Sequence, residues 1–284
     1  MSRVTAVTES RIARKFQALR EDGEKALIAY VTAGDPDLSS TRDFVLGLAD
    51  AGADIIELGI PFSDPLLDGP VIQAASQRAL DRGTRVSQIF EMVRSLRVET
   101  DVPLLFMTCL NPIFQRGSHE FALECKESGV DGVLITDLPP EEGREWIETA
   151  IRFGLDRIFM LAPASSPDRV KSVAAAASGF IYCQSRAGVT GERKTAPPDL
   201  SDLIHRVRDQ SDLPIAVGFG ISTPDQVRAV TDVAEGAIVG SAFVRLIGSA
   251  GSDGVGARSA IMSLAADLKA GTRRSEPRGH AGIL

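Results

Sequence analysis

Eight times along the chain, a short apolar run gives way to a longer amphipathic stretch. The runs are ALIAYVTAG (26–34), DIIELGI (54–60), PLLFMTC (103–109), GVLITD (132–137), RIFMLAP (157–163), GFIYCQS (179–185), PIAVGFG (214–220) and GAIVGSAFV (236–244). Most are apolar throughout rather than alternating, the pattern of strands covered on both faces. The stretches between them, such as TRDFVLGLADAG and EEGREWIETAIRFG, carry helical periodicity. AGADII, SGVDGV and AEGAIV repeat one device, a helix ending on a small residue with the next strand starting almost at once. Eight strand–helix units predict a single-domain α/β fold, a (β/α)8 TIM barrel. A doubly wound open sheet is the alternative that periodicity leaves open. Residues 9–21 predict an extra N-terminal helix over the barrel floor. The barrel is expected to occupy 1–270, and the polar, Gly- and Pro-rich 271–284 to form a loose tail.

Composition narrows the function. Of 284 residues, 44% are hydrophobic, enough for a sizeable core, and the net charge of −7 without a basic run argues against nucleic acid. No apolar stretch approaches a membrane span, and the N-terminus has no signal-like apolar region, so a cytoplasmic protein is expected. Cys109, Cys125 and Cys183 are widely spaced and odd in number. They read as reduced thiols, and with three scattered histidines no metal site is expected.

A barrel of this kind carries its active site at the C-terminal ends of the strands. There the sequence ELGIPFSDPLLDGP (57–70) holds three carboxylates, Glu57, Asp64 and Asp68, stiffened by Pro61, Pro65 and Pro70. Glu57 lies within an apolar run and is expected to be dry. Desolvation raises a carboxylate pKa and fits it for proton transfer near neutrality. The competing reading is a structural carboxylate paired with a base, but Arg186 is the one basic residue expected near a strand end. Asp68 also suits a helix cap, since a helix is expected to start two residues later. Tyr182 and Tyr30 sit near the same strand ends, as core tyrosines or pocket walls. Glycines ending the last two runs, with Gly188 and Gly191 in the long loop 185–200, form the usual phosphate cradle of this barrel, and that loop is long enough to be a lid. Taken together, the residues describe a barrel enzyme acting on a small phosphorylated substrate by carboxylate proton transfer.

These motifs carry a family likeness. ELGIPFSDPLLDGP, with VTAGDP (31–36), NPI (111–113), SRAGVTG (185–191), GFGIS (218–222) and GSAFV (240–244) in the same order, resembles the tryptophan synthase alpha subunit over roughly 10–270. The resemblance implies a lyase that splits indole-3-glycerol phosphate into indole and glyceraldehyde 3-phosphate without a Schiff base. It implies Glu57 as general acid–base, Asp68 as the anion holding the indole N–H, and Tyr182 beside them. Thr190 matches the lid threonine. Gly191, Gly220, Gly240 and Ser241 match the phosphate positions, and Tyr30, Met107, Leu134, Thr136 and Met160 match the indole pocket. Asp64, Pro65 and Asn111 match the interface with a beta subunit, which alone carries pyridoxal phosphate; no cofactor is expected in this chain. Two departures stand out. Cys109 and Leu110 replace two aromatic residues, and Gln184 replaces an aliphatic one. By strand alternation Cys109 shares a face with Met107 and Gln184 with Tyr182, so both are expected toward the pocket, where they would alter ring recognition or coupling to the partner. A stand-alone lyase, including one for a modified indole, and a non-catalytic barrel that only activates a partner are the competing functions.

Overall fold

The computed structural model describes residues 10–65, 67–185, 197–218, 220–250 and 255–273. Its eight strands are β1 (Ala26–Thr32), β2 (Ile55–Gly59), β3 (Leu104–Thr108), β4 (Gly132–Ile135), β5 (Asp156–Leu161), β6 (Ile181–Gln184), β7 (Ile215–Gly218) and β8 (Gly236–Val239). All pair in parallel with their sequence neighbours, and β1 with β8, so the sheet closes into a barrel. Closure removes the edges an open sheet would leave unpaired, and the open-sheet alternative falls.

The period of two divides each strand between two cores. Outward-facing Val31, Leu58, Phe106, Val133 and Val217 pack under the surrounding helices. Inward-facing Ile28, Ile55, Leu105, Leu134, Ile158, Ala216 and Ile238 fill the barrel. The expected N-terminal helix is α1 (Arg11–Glu21), started by Ser10, whose hydroxyl accepts from Ala13 N at 3.0 Å. Its Ile12, Phe16 and Leu19 join the inner cluster, with the Phe16 ring against Phe180. The helix therefore plugs the floor, and burying each of these side chains stabilises the fold by about 1.5–3 kcal/mol.

The floor is also tied by one device used four times. The first or second N–H of β1, β3, β5 and β7 is accepted by a side chain from just before the following strand. Asp54 takes Leu27 N at 2.8 Å, Asp131 takes Leu104 N at 2.8 Å, Ser178 takes Arg157 N at 3.0 Å, and Glu235 takes Ile215 N at 3.1 Å. The three carboxylates are each matched by cations. Lys269 donates to Asp54 at 2.8 Å, Arg97 to Asp131 at 2.7 Å, and Arg208 to Glu235 at 2.8 Å.

Two boundaries differ from expectation. The run 236–244 is not one strand: β8 stops at Val239, and α11 (Ser241–Ser249) begins after Gly240. The helix buries Ala242, Phe243, Val244 and Ile247, so its apolar face continued the strand-like run. The last helix also runs one residue past the expected boundary at 270. Gly271 closes α12 (Val255–Gly271), and Thr272 is buried with its hydroxyl donating to Lys269 O at 2.8 Å. The rest of the expected tail, 274–284, lies outside the described residues.

Candidate active site

Glu57 is central in β2, paired in register with Tyr30 of β1 and Leu105 of β3. Its neighbours Ile55 and Gly59 on the inner face are apolar, and among the described residues no cation acts on it. It is 2% exposed, and among the described residues its Oε1 has no hydrogen-bond partner. Burial, and secondarily the charge of Asp68, push its pKa up from 4.5 to about 8. Among the described residues no base pairs with Glu57; Arg186, the one base expected near a strand end, lies outside them.

Asp68 reaches the same place from the loop after β2. A turn closes from Asp68 N to Pro65 O at 3.1 Å, and α3 (Pro70–Asp81) follows. The N-cap of α3 is Gly69, and no side chain caps it; Pro70 removes one of the N–H groups a cap would serve. Asp68 is therefore not spent as the cap. Half-buried, its carboxyl is raised by burial from 3.8 to about 6. The two acids fall on opposite sides of neutrality: Glu57 holds its proton at pH 7 while Asp68 is ionised.

Both open onto a cavity of about 220 Å³ at the C-terminal end of the barrel. Tyr30, Met107 and Tyr182 form its walls, with Gly220, Gly240 and Ser241 at the ends of β7 and β8. The tyrosine rings fit because each faces a glycine. A Cβ on Gly59 would lie 2.0 Å from the Tyr30 hydroxyl, and one on Gly218 would lie 2.0 Å from that of Tyr182. Tyr30 Oη is also 3.2 Å from Thr32 Oγ1. Burial raises both phenols above their usual range, so neither is a phenolate near neutrality. At the other end α11 starts at Ser241 with Gly240 as N-cap and no side-chain cap, so among the described residues its first N–H groups have no side-chain acceptor.

Not every expected residue lines this cavity. Leu134 is 0% exposed within the inner cluster, and Met160, like Met107, packs on that cluster. Thr136 is half-buried, its Oγ1 3.8 Å from Cys109 Sγ. Cys109 caps the N-terminus of α5 (Leu110–Arg116), and Leu110 N donates to Asp137 at 2.7 Å. The helix begins at Leu110, while Cys109 is still extended and buried, near enough for the charges of Asp137, Asp68 and Asp64 to act on its thiol. Gln184 is half-buried opposite Gly218. Among the described residues neither Cys109 nor Gln184 lines the cavity. Thr190 and Gly191 lie outside the described residues, as does the rest of the expected lid from 186 to 196. Asp64 and Asn111 are exposed and Pro65 is half-buried, on the outer rim.

Sequence reasoning missed other walls. Leu67, Gly69, Ile72, Ile221 and Ile238 line the cavity, and so does Arg245. The first three flank Asp68, and Ile221 follows Gly220, a nearness that the motif itself offered. Arg245 was hidden by reading 240–244 as strand; α11 places it one turn beyond Ser241. Among the described residues no group of acids, histidines and cysteines is arranged to hold a metal, and no helix is long and apolar enough to cross a membrane.

The chain is similar to known proteins along nearly its whole length. Residues 16–273 match the family model of the tryptophan synthase alpha chain. The alpha chain of Citrifermentans bemidjiense is 51% identical over 236 residues, 83% of this chain and 88% of that one. That of Geotalea uraniireducens is 46% identical over 264 residues, 93% and 98% of the two chains. Among solved structures, the alpha subunit from Legionella pneumophila superposes with a TM-score of 0.86 at 34% identity, covering 93% of this chain and 99% of that one. A chain of tryptophan synthase from M. tuberculosis, in an aminoacrylate-bound form, gives 0.83 at 32% identity, covering 93% and 100%. A family match over nearly the whole barrel, with the two acids at the mouth of its one continuous ring of strands, places this chain in the tryptophan synthase alpha chain family.

Proposed function

We propose that this chain is the lyase subunit that cleaves indole-3-glycerol phosphate to indole and glyceraldehyde 3-phosphate in tryptophan biosynthesis. The observation that carries the reading is the separation of two acids within one cavity: a dry, protonated Glu57 and an ionised Asp68. Glu57 donates its proton to indole C3, and the ring becomes an indolenine cation. Asp68 accepts the ring N–H and stabilises that cation. Glu57, now a carboxylate, takes the proton of the hydroxyl on the adjoining side-chain carbon. The bond between that carbon and C3 breaks, its electrons return to the ring, and an aldehyde forms. The chemistry balances without a covalent adduct and asks no cofactor of this chain. Tyr182, Tyr30 and Met107 hold the ring, and Gly220, Gly240 and Ser241 bind the phosphate through backbone N–H groups and a hydroxyl. Leu134, Thr136 and Met160 serve as backing for that wall, while Thr190 and Gly191 would complete the closed site.

A partner at the rim is part of the reading. Leu67, close in sequence to Asp64 and Pro65, is 56% exposed, and Phe114, close to Asn111, is 75% exposed, apolar area suited to a protein partner. That partner is a beta-type subunit, the place of the pyridoxal phosphate chemistry. Indole release from indole-3-glycerol phosphate, measured with and without a beta subunit, tests the proposal. Turnover that rises on adding the beta subunit is expected. Full turnover by the isolated chain would favour a stand-alone lyase, and no indole under either condition would overturn the reading.

A further inference from the structure

The cavity is electrically lopsided. Its two carboxylates sit on the β2 side, while Arg245 is the one lysine, arginine or histidine among its described lining residues. Arg245 is exposed on α11, four residues after Ser241. Residues at that spacing share a helix face, so the guanidinium stands over the turn that begins at Gly240 and Ser241. Among the described residues no carboxylate pairs with it. Neighbouring Arg78 shows the contrast. It lines an adjoining groove together with Arg245, but its guanidinium is committed to Asp35 through two hydrogen bonds of 2.8 and 2.7 Å. Nor is Arg245 engaged by the site acids: the shift of Glu57 arises from burial and Asp68, and that of Asp68 from burial.

A cation near a helix N-terminus is in an unfavourable place, because the helix end is itself partially positive. An anion set between the two reverses the sign of both interactions. We infer that Arg245 is a substrate-binding residue of the proposed reaction, pairing with the phosphate held at Gly220, Gly240 and Ser241 and orienting the substrate with its ring toward the acids. The inference rests on the lyase reading for the identity of the substrate, but the anion site itself stands apart from turnover. A dianionic phosphate entering a cavity that also holds an ionised Asp68 gains from a counter-charge at the opposite end. Backbone N–H groups position the anion, whereas Arg245 supplies the full charge and makes binding sensitive to salt.

The test compares Arg245→Gln and Arg245→Lys with wild type in two assays. In calorimetric titration with inorganic phosphate, Arg245→Gln is expected to weaken binding about tenfold and Arg245→Lys to retain most of it. In turnover of indole-3-glycerol phosphate, Arg245→Gln is expected to raise KM by a similar factor with kcat within about twofold, the signature of lost ground-state binding. In the reverse reaction at saturating glyceraldehyde 3-phosphate, the KM for indole, which itself carries no phosphate, should stay unchanged. Unaltered phosphate affinity and KM in Arg245→Gln would overturn the inference while leaving the lyase reading intact. An equal rise in the KM for indole would also overturn it, showing a general disturbance of the pocket. A wild-type chain that binds phosphate through Arg245 but releases no indole would uphold the anion site and sink the lyase reading.

Discussion

The two ends of this barrel use the same residue types in opposite ways. At the floor, Asp54, Asp131 and Glu235 each accept a backbone N–H from a neighbouring strand and at least one lysine or arginine. At the mouth, Glu57 has an oxygen with no partner among the described residues, and Asp68 is likewise unmatched by a base. A satisfied carboxylate stabilises; an unsatisfied one stores the free energy of its desolvation, which a ligand or a proton can relieve. Asp156 is the exception at the floor. Burial raises its pKa and its Oδ2 lacks a partner among the described residues, yet hydroxyl groups of Ser10 and Ser178 pull the other way. Its companions are two serines of the floor rather than a ligand cavity.

The contrast is broken most severely at Glu57. Replacing it with Gln removes the acidic proton and the carboxylate that takes it back, and kcat for indole release should fall by about 10³-fold, within the usual range for a general acid–base. Stability should move the other way as pH rises. Because the folded pKa lies above the unfolded one, wild type binds more protons folded than unfolded between pH 4.5 and about 8. The stability contributed by Glu57 is therefore fully present below 4.5 and is lost as pH climbs through that window, by roughly 1.4 kcal/mol for each pH unit. Chemical denaturation across this range should show a smaller decline in Glu57→Gln than in wild type, the remainder belonging to other raised acids such as Asp68.

The floor should answer in stability alone. Lys269→Met strips Asp54 of its 2.8 Å partner, and about 3 kcal/mol of unfolding free energy should be lost in urea. The kcat per folded molecule should not change. A fall in kcat at full folding would show that the two ends are coupled.

Next in size is the pH profile of kcat/KM. The active form needs a protonated Glu57 and an ionised Asp68, so activity should rise through an apparent pKa near 6 and fall through one near 8, each limb tenfold per pH unit. Both values belong to the interacting pair. The smallest effect is expected of Ser178→Ala. It leaves the N–H of Arg157 without its 3.0 Å acceptor and should cost about 1 kcal/mol, with no kinetic change.

How far the sequence foretold this contrast depends on the distance over which each feature is made. Glu57 was legible, because a lone acid in an apolar run is buried by the strand period alone. The barrel was legible for the same reason, from local runs repeated eight times. The floor was not: Asp54 meets Leu27 across 27 residues and Lys269 across 215, and no spacing rule reaches so far. Asp68 stood between cap and site, and only the placement of Gly69 and Pro70 at the start of α3 resolves it. The apolar face of α11 imitated a strand and concealed Arg245. Leu134 was expected at the pocket, but strand alternation fixes the face of a residue and not the level at which larger neighbours such as Met107 cover it.

The central claim is that the barrel mouth keeps Glu57 dry and protonated while leaving Asp68 ionised. Carboxyl-carbon NMR on protein labelled at glutamate, titrated without ligand and assigned by loss of the signal in Glu57→Gln, measures this directly. The account predicts a midpoint near 8 for Glu57. A midpoint near the ordinary 4.5 would contradict it, since Glu57 would then enter the reaction without the proton it has to give.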